Sequence, residues 1–170
     1  MAVLEILKIG HPILAKKASP VERIDDAIRA LAKNLVETMH SAPGLGLSAP
    51  QVNVGKRLIA VDLSLGEKPD EEIVLINPEI LSREGKVVRD EGCLSVPETY
   101  EKVARPQKIV IKGLDIEGNE RTIEAVDLQA RVFCHEVDHL DGKLFIEWLS
   151  PLKRNLIKKK FRKKAEKGKS

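Results

Sequence analysis

Residues 127–141 have the sequence DLQARVFCHEVDHLD, and this stretch predicts the helix around which the domain is built. Asp127 is a candidate N-cap, and Gly142 is a candidate for the residue that follows the helix. Apolar residues recur at steps that are compatible with one buried helical face: Leu128, Val132 and Leu140. We therefore expect a central helix with polar residues on its remaining surface.

The same stretch contains the pattern His135-Glu136-Val137-Asp138-His139. Residues four apart lie one turn apart on the same face of a helix, so the two imidazoles can share a metal ion. Glu136 is close enough in rotation to handle a proton on a metal-bound water. Asp138 is expected either to orient a ligand histidine or to face solvent. The alternative for the whole pattern is a solvated, charged helical face.

The remaining segments predict an α+β fold with mainly antiparallel sheets packed around this helix, and with a C-terminal helix. A length of 170 residues fits one domain, which we divide into a catalytic part, 1–150, and a basic tail, 151–170. Helices are predicted at 22–41 and 151–166, a Gly-rich loop at 44–51, and β-structure at the following segments: 58–61, 73–76, 79–90 and 108–126.

A catalytic metal site needs a third protein ligand, and the common protease completions of this pattern fit poorly. A histidine six residues after His139 would complete one of them, but Phe145 stands there, and a later glutamate would fall at 158–160, which are lysines. Cys93 is a better candidate because it lies in a short loop beside a glycine. An inert buried cysteine is the alternative for Cys93. Cys134 is expected to be a core residue or to support a ligand from behind, rather than to bind the metal itself.

Residues 44–51, GLGLSAPQ, formally match a dinucleotide-binding fingerprint. That fingerprint needs a strand before it and a helix after it, whereas here a predicted helix precedes it and Pro50 interrupts any following helix. We therefore expect no nucleotide cofactor. The glycines instead suggest a backbone that passes close to a ligand, with the amide of Gln51 directed into a cleft, and an ordinary turn is the alternative.

The charge is distributed unevenly along the chain. Residues 153–170 contain ten Lys or Arg and one acid, a net charge of +9, whereas the other 152 residues carry 19 basic and 25 acidic side chains. The tail is either a solvated helix or a segment drawn to ribosomal RNA. No apolar run is long enough to span a membrane, no secretory signal is evident, and two cysteines suit a reducing cytoplasm.

Three segments, GLGLSAPQ (44–51), EGCLS (91–95) and HEVDH (135–139), together resemble the signature motifs of peptide deformylases. The resemblance spans roughly residues 5–150, with Ser48 and Cys134 as departures from the usual residues. It implies that Cys93, His135 and His139 bind Fe²⁺, which Zn²⁺, Ni²⁺ or Co²⁺ can replace. The implied substrate is the N-formyl group on the initiator methionine of a nascent peptide, with formate as a product.

The resemblance also implies roles for other residues. Glu136 would move the proton of the attacking water, while the Gln51 amide and the Leu94 backbone N–H would stabilise the oxyanion. Glu91 and Arg105 would form a structural pair. The peptide is expected to be bound by five residues: Leu45, Gly46, Gly92, Leu128 and Val132. A zinc endopeptidase and a non-catalytic zinc or RNA-binding protein remain as alternatives, and Leu128 and Val132 are core residues in the simplest alternative.

Overall fold

The computed structural model describes residues 2–168, and it has the predicted α+β architecture. Within these residues the fold contains three α-helices and seven strands. The helices are α1 (Asp26–Ser41), α2 (Asp127–Leu140) and α3 (Pro151–Gly168). The strands are β1 (Gly46–Ser48), β2 (Leu58–Val61), β3 (Ile73–Glu84), β4 (Val87–Cys93), β5 (Val96–Arg105), β6 (Lys108–Leu114) and β7 (Glu120–Val126).

All strand pairs within the two sheets are antiparallel, as predicted. A five-stranded sheet has the order β1-β2-β3-β6-β7, and β4 and β5 form a separate two-stranded sheet. Consecutive strand residues point to opposite faces, so Ile59 and Val61 pack toward α2 whereas Leu58 and Ala60 pack toward α1. The two helices therefore cover opposite faces of the larger sheet.

Helix α2 is buried on nearly all sides, which explains why its apolar pattern is interrupted by charged residues. Ten of its 14 residues are buried, because the five-stranded sheet covers one side and the β4-β5 sheet contacts another. Cys134 lies in the core, as expected, and burial raises the pKa of its thiol. Three charged or titratable residues of α2, Arg131, His135 and Asp138, face the β4-β5 sheet, where the site described below is formed.

Several boundaries differ from the predictions. Helix α1 begins at Asp26 rather than at residue 22, because the side chain of Asp25 accepts a hydrogen bond from the backbone N–H of Ile28. The predicted β-segment 79–90 is broken at Gly85, whose φ of 71° lets the chain turn into β4. Asp127 does not cap α2, since its carboxylate accepts from Gln107 instead.

The C-terminal helix starts at Pro151, as predicted, and contacts the body through Ile157 and Phe161. These two side chains pack on a small apolar cluster that includes Val96 and Phe145. Residues 169–170 of the predicted tail lie outside the described residues. Among residues 2–168, none of the helices combines the length and the apolar character that crossing a bilayer requires.

Candidate metal centre

The three predicted ligands converge at the carboxyl end of β4. His135 and His139 lie one turn apart on α2, and their Nε2 atoms are 3.1 Å apart. Cys93 is the last residue of β4, at an irregularity in its pairing with β5, and its Sγ lies 3.4 Å from His139 Nε2. All three candidate donor atoms are within 4.8 Å of one another, although residue 93 is more than 40 positions away in the chain.

This donor set fits one tetrahedral metal ion. Bond lengths of about 2.05 Å to nitrogen and 2.3 Å to sulfur would separate two tetrahedral nitrogen ligands by about 3.3 Å, and a sulfur from a nitrogen by about 3.6 Å. The observed distances of 3.1 and 3.4 Å are each about 0.2 Å shorter. Burial lowers the pKa of His139 well below its usual value, which favours the neutral imidazole that a metal ligand must be.

Glu91 organises the surroundings of His135. One carboxylate oxygen accepts from His135 Nδ1 at 2.8 Å and from Arg105 Nη2 at 2.6 Å. The other accepts from Arg105 Nε at 3.0 Å and from Arg131 Nη1 at 2.9 Å. The expected Glu91–Arg105 pair is therefore present. Because Nδ1 of His135 faces the Glu91 carboxylate, the neutral form of this imidazole carries its lone pair on Nε2, on the side of the other two donors.

Two further residues of this network were missed from the sequence. Arg131 is buried and also donates to the backbone carbonyls of Val87 and Val103, so it joins α2 to both strands of the small sheet. Trp148 donates from its indole nitrogen to Asp138 at 2.9 Å. Asp138 neither contacts a ligand histidine nor faces solvent freely; it accepts from Arg105 at 2.6 Å.

Glu136 lies beside the three donors and is buried. Its Oε2 is 4.0 Å from His135 Nε2, and its Oε1 has no hydrogen-bond partner among the described residues. Burial raises the pKa of Glu136 to about 7, so this carboxyl can exchange a proton near neutral pH. A Cβ atom on Gly46 would lie 2.7 Å from Glu136 Oε2, which shows why a glycine is needed there.

Gln51 is held in one orientation. Its Oε1 accepts hydrogen bonds from the backbone N–H and the hydroxyl of Ser48, both at 3.0 Å. Its Nε2 therefore points the other way, toward Ser95 Oγ at 3.1 Å and Cys93 Sγ at 3.7 Å. The segment that was predicted as a loop is in fact the short strand β1 followed by a 3₁₀ turn, Ala49–Val52, which presents Gln51 to the site.

Cys93, His135 and Glu136 line a cleft of about 570 Å³. All five predicted substrate-binding residues line it: Leu45, Gly46, Gly92, Leu128 and Val132. Leu128 is 48% exposed, so the alternative of a core position is wrong for it, whereas Val132 is only 8% exposed and also belongs to the core. Tyr100 covers Gly92, where a Cβ atom would lie 2.5 Å from the tyrosine ring.

A family model described as polypeptide deformylase matches residues 3–155. The chain belongs to the polypeptide deformylase family. A peptide deformylase from Thermodesulfovibrio yellowstonii is 49% identical over 164 residues, which cover 96% of this chain and 99% of the relative. The crystal structure of a peptide deformylase from Legionella pneumophila superposes with a TM-score of 0.90 at 41% identity, and 96% of each chain is covered.

A second solved structure, peptide deformylase from Ehrlichia chaffeensis in complex with actinonin, has a TM-score of 0.89 at 38% identity and covers 96% of this chain and 98% of its own. The predicted family, fold and activity are thereby confirmed: this chain is a metal-dependent hydrolase that removes the N-formyl group from nascent peptides. The endopeptidase and the non-catalytic alternatives are not favoured.

Proposed function

We propose that Cys93, His135 and His139 bind the metal ion of this deformylase, and that Fe²⁺ is the physiological ion. Zn²⁺, Ni²⁺ and Co²⁺ are expected to occupy the same site. The observation that carries the assignment is the convergence of one sulfur and two imidazole nitrogens within 4.8 Å, next to a buried carboxyl. Ligand types alone favour zinc, so the preference for iron rests on the resemblance of the three motifs to the family.

The bound ion would supply a Lewis acid that makes water a nucleophile near neutral pH. Glu136 is proposed to accept the proton of the attacking water and then to donate it to the amine nitrogen as the C–N bond breaks. The products are formate and a free α-amine. The elevated pKa of Glu136, about 7, supports both transfers, because a group that titrates near the working pH is effective as base and as acid.

Gln51 Nε2 and the backbone N–H of Leu94 are proposed to stabilise the oxyanion that develops on the formyl group. Support comes from the fixed orientation of the Gln51 amide, whose oxygen is held by Ser48 so that the donor faces Cys93. A donor that is oriented before the reaction needs no reorganisation in the transition state, which is the source of its contribution to rate.

The cleft is proposed to bind the first residues of the formylated chain. Leu128 and Val132 offer apolar surface for the methionine side chain. Four residues lie on or next to β1 and β4: Leu45, Gly46, Gly92 and Leu94. In the part of the chain that the structure describes, each of these two strands pairs with a single other strand. A peptide in extended conformation can add to such an edge through backbone hydrogen bonds.

Residues 1–150 are proposed as the catalytic domain, which works in the cytoplasm where nascent chains are made.

The basic segment 153–170 is proposed to dock on the ribosome. On α3, no acidic group among residues 2–168 forms an ion pair with four exposed or half-exposed bases: Lys159, Lys160, Arg162 and Lys163. Changing the three lysines of this set to Gln should weaken salt-dependent ribosome binding, whereas equal binding would refute docking.

The enzymatic proposal is tested by anaerobic measurement of formate release from formyl-Met-Ala-Ser, with the metal content of each protein determined in parallel. Cys93→Ala should lose both metal and activity. Glu136→Ala should lose activity but retain metal. Full turnover by Glu136→Ala, or full metal content in Cys93→Ala, would contradict the assigned roles.

A further inference from the structure

A second cavity of about 1130 Å³ lies outside the metal centre, between the N-terminal segment and the C-terminal helix. We call it the α3 groove. One wall is formed by residues 3–15, with Leu4, Ile6 and Ile9 as apolar members, and the opposite wall by Phe161 and Ala165 of α3. A concave apolar surface of this size is typical of a binding site, yet nothing in the proposed chemistry uses it.

The α3 groove adjoins the substrate cleft. Lys8 and Leu94 line both cavities, and the ammonium group of Lys8 donates to the Leu94 carbonyl at 3.1 Å. The N-terminal segment that forms the groove is also bonded to residues of the metal centre. The N–H of Leu7 donates to the Gln51 carbonyl at 2.7 Å, and the N–H of Ile9 donates to the Ser95 carbonyl at 2.8 Å.

The continuity between the two cavities indicates which molecule would occupy the α3 groove. The substrate of a deformylase is a nascent chain, and only its first residues fit the cleft at the metal centre. Each further residue in extended conformation advances the chain by about 3.3 Å, so a few residues are enough to pass Leu94 and enter the neighbouring cavity. We propose that the α3 groove binds apolar side chains of the nascent polypeptide downstream of the formylated methionine. The inference rests on the proposed role of the cleft.

The rim of the groove is consistent with a peptide rather than a small anion. Lys158 on α3 pairs with Glu147 at 3.4 Å, so two of the charged groups at the rim already neutralise each other. Glu5 and Lys8 add one charge of each sign from the N-terminal segment, and Arg162 adds one positive charge from α3. A rim of mixed charge with a single excess positive group around an apolar floor suits a peptide with apolar side chains.

The test compares two formylated nonapeptides that both begin formyl-Met-Ala-Ser. One carries Leu at positions 5 and 7, and the other carries Ser at both. The apolar peptide should have a KM about tenfold lower with an unchanged kcat, because partial burial of two leucine side chains adds binding that is equal in the ground and transition states. Equal KM values for the two peptides would overturn the proposal.

Variants that fill the groove locate the effect. Ala165→Trp on α3 and Ala15→Trp on the opposite wall each place a large side chain in the cavity, and both alanines are exposed. Each should abolish the KM difference between the two nonapeptides. Ala30→Trp is the matched control, because Ala30 is an exposed helical alanine outside the groove, and it should retain the difference.

Two variants on opposite walls guard against a local misfolding effect, and the comparison of two peptides on one enzyme cancels differences in active fraction. A KM difference that persists in both filled variants would place the apolar contacts elsewhere and refute the assignment. Failure of the proposed chemistry is distinguishable, since the wild type would then release no formate even from formyl-Met-Ala-Ser.

Discussion

Replacing Gly46 by alanine perturbs the carboxyl group of Glu136 without changing any proposed metal ligand. The new Cβ would lie 2.7 Å from Glu136 Oε2 and 2.8 Å from Val132 Cγ1. An ordinary contact begins at 3.4 Å, so the carboxylate must retreat by about 0.7 Å. Helix α2 is buried on nearly all sides, and the side chain therefore has little room in which to move.

The cost in rate follows from this displacement. A misplacement of 1 Å lowers the rate by about 100-fold, so 0.7 Å should lower kcat by about 25-fold, while the metal stays bound. Steady-state formate release and metal analysis on the same protein measure both quantities. Gly55→Ala is the control, because the nearest atom to its Cβ would be 3.9 Å away. A Gly46→Ala enzyme with wild-type kcat would refute the requirement for close approach between β1 and Glu136.

Three further perturbations test the network around the donors. Gln51→Ala should lower kcat by about 10²–10³-fold with the metal retained, as measured by formate release; an unchanged kcat would exclude Gln51 as an oxyanion donor. Arg131→Met removes a donor from Glu91 and should weaken metal affinity by about 10–100-fold in a chelator competition, whereas wild-type affinity would show that Arg105 alone suffices. Burial disfavours the charged form of Glu91, but hydrogen bonds from His135 and Arg105 outweigh it and hold the pKa of Glu91 well below its usual 4.5. Because the folded state holds this carboxylate ionised, the free energy of unfolding should decrease as the pH falls below about 4.5. Urea unfolding at pH 5.5 and at pH 3.5 should show that this decrease is smaller in Glu91→Gln than in the wild type.

The parts of the site that depend on local spacing could be predicted from the sequence. The i, i+4 separation of His135 and His139 determines that they share a helical face, whatever the rest of the fold is. The burial of Glu136 follows once its helix is central. The role of Cys93 was harder to predict, because its proximity to α2 depends on how β4 and β5 pack. Cys93 was a candidate because no other third ligand was available and because of the resemblance to a family.

The parts that depend on long-range packing were not predicted. The sequence did not indicate that Arg131 is buried, because a lone arginine in a helix is ordinarily solvated. Its hydrogen-bond partners come from the neighbouring small sheet. Trp148 likewise meets Asp138 only through the turn after α2. The break at Gly85 was missed because the alternation of apolar and charged residues continues across it. The α3 groove was not predicted because it forms only where the N-terminal segment meets α3.

X-ray absorption spectroscopy of the anaerobically prepared enzyme tests the central claim most directly. The account predicts a single type of metal site with one sulfur neighbour and two imidazole nitrogens, and loss of the sulfur contribution in Cys93→Ser. A spectrum with only nitrogen and oxygen neighbours in the active wild-type enzyme, or an undiminished sulfur contribution in Cys93→Ser, would contradict it.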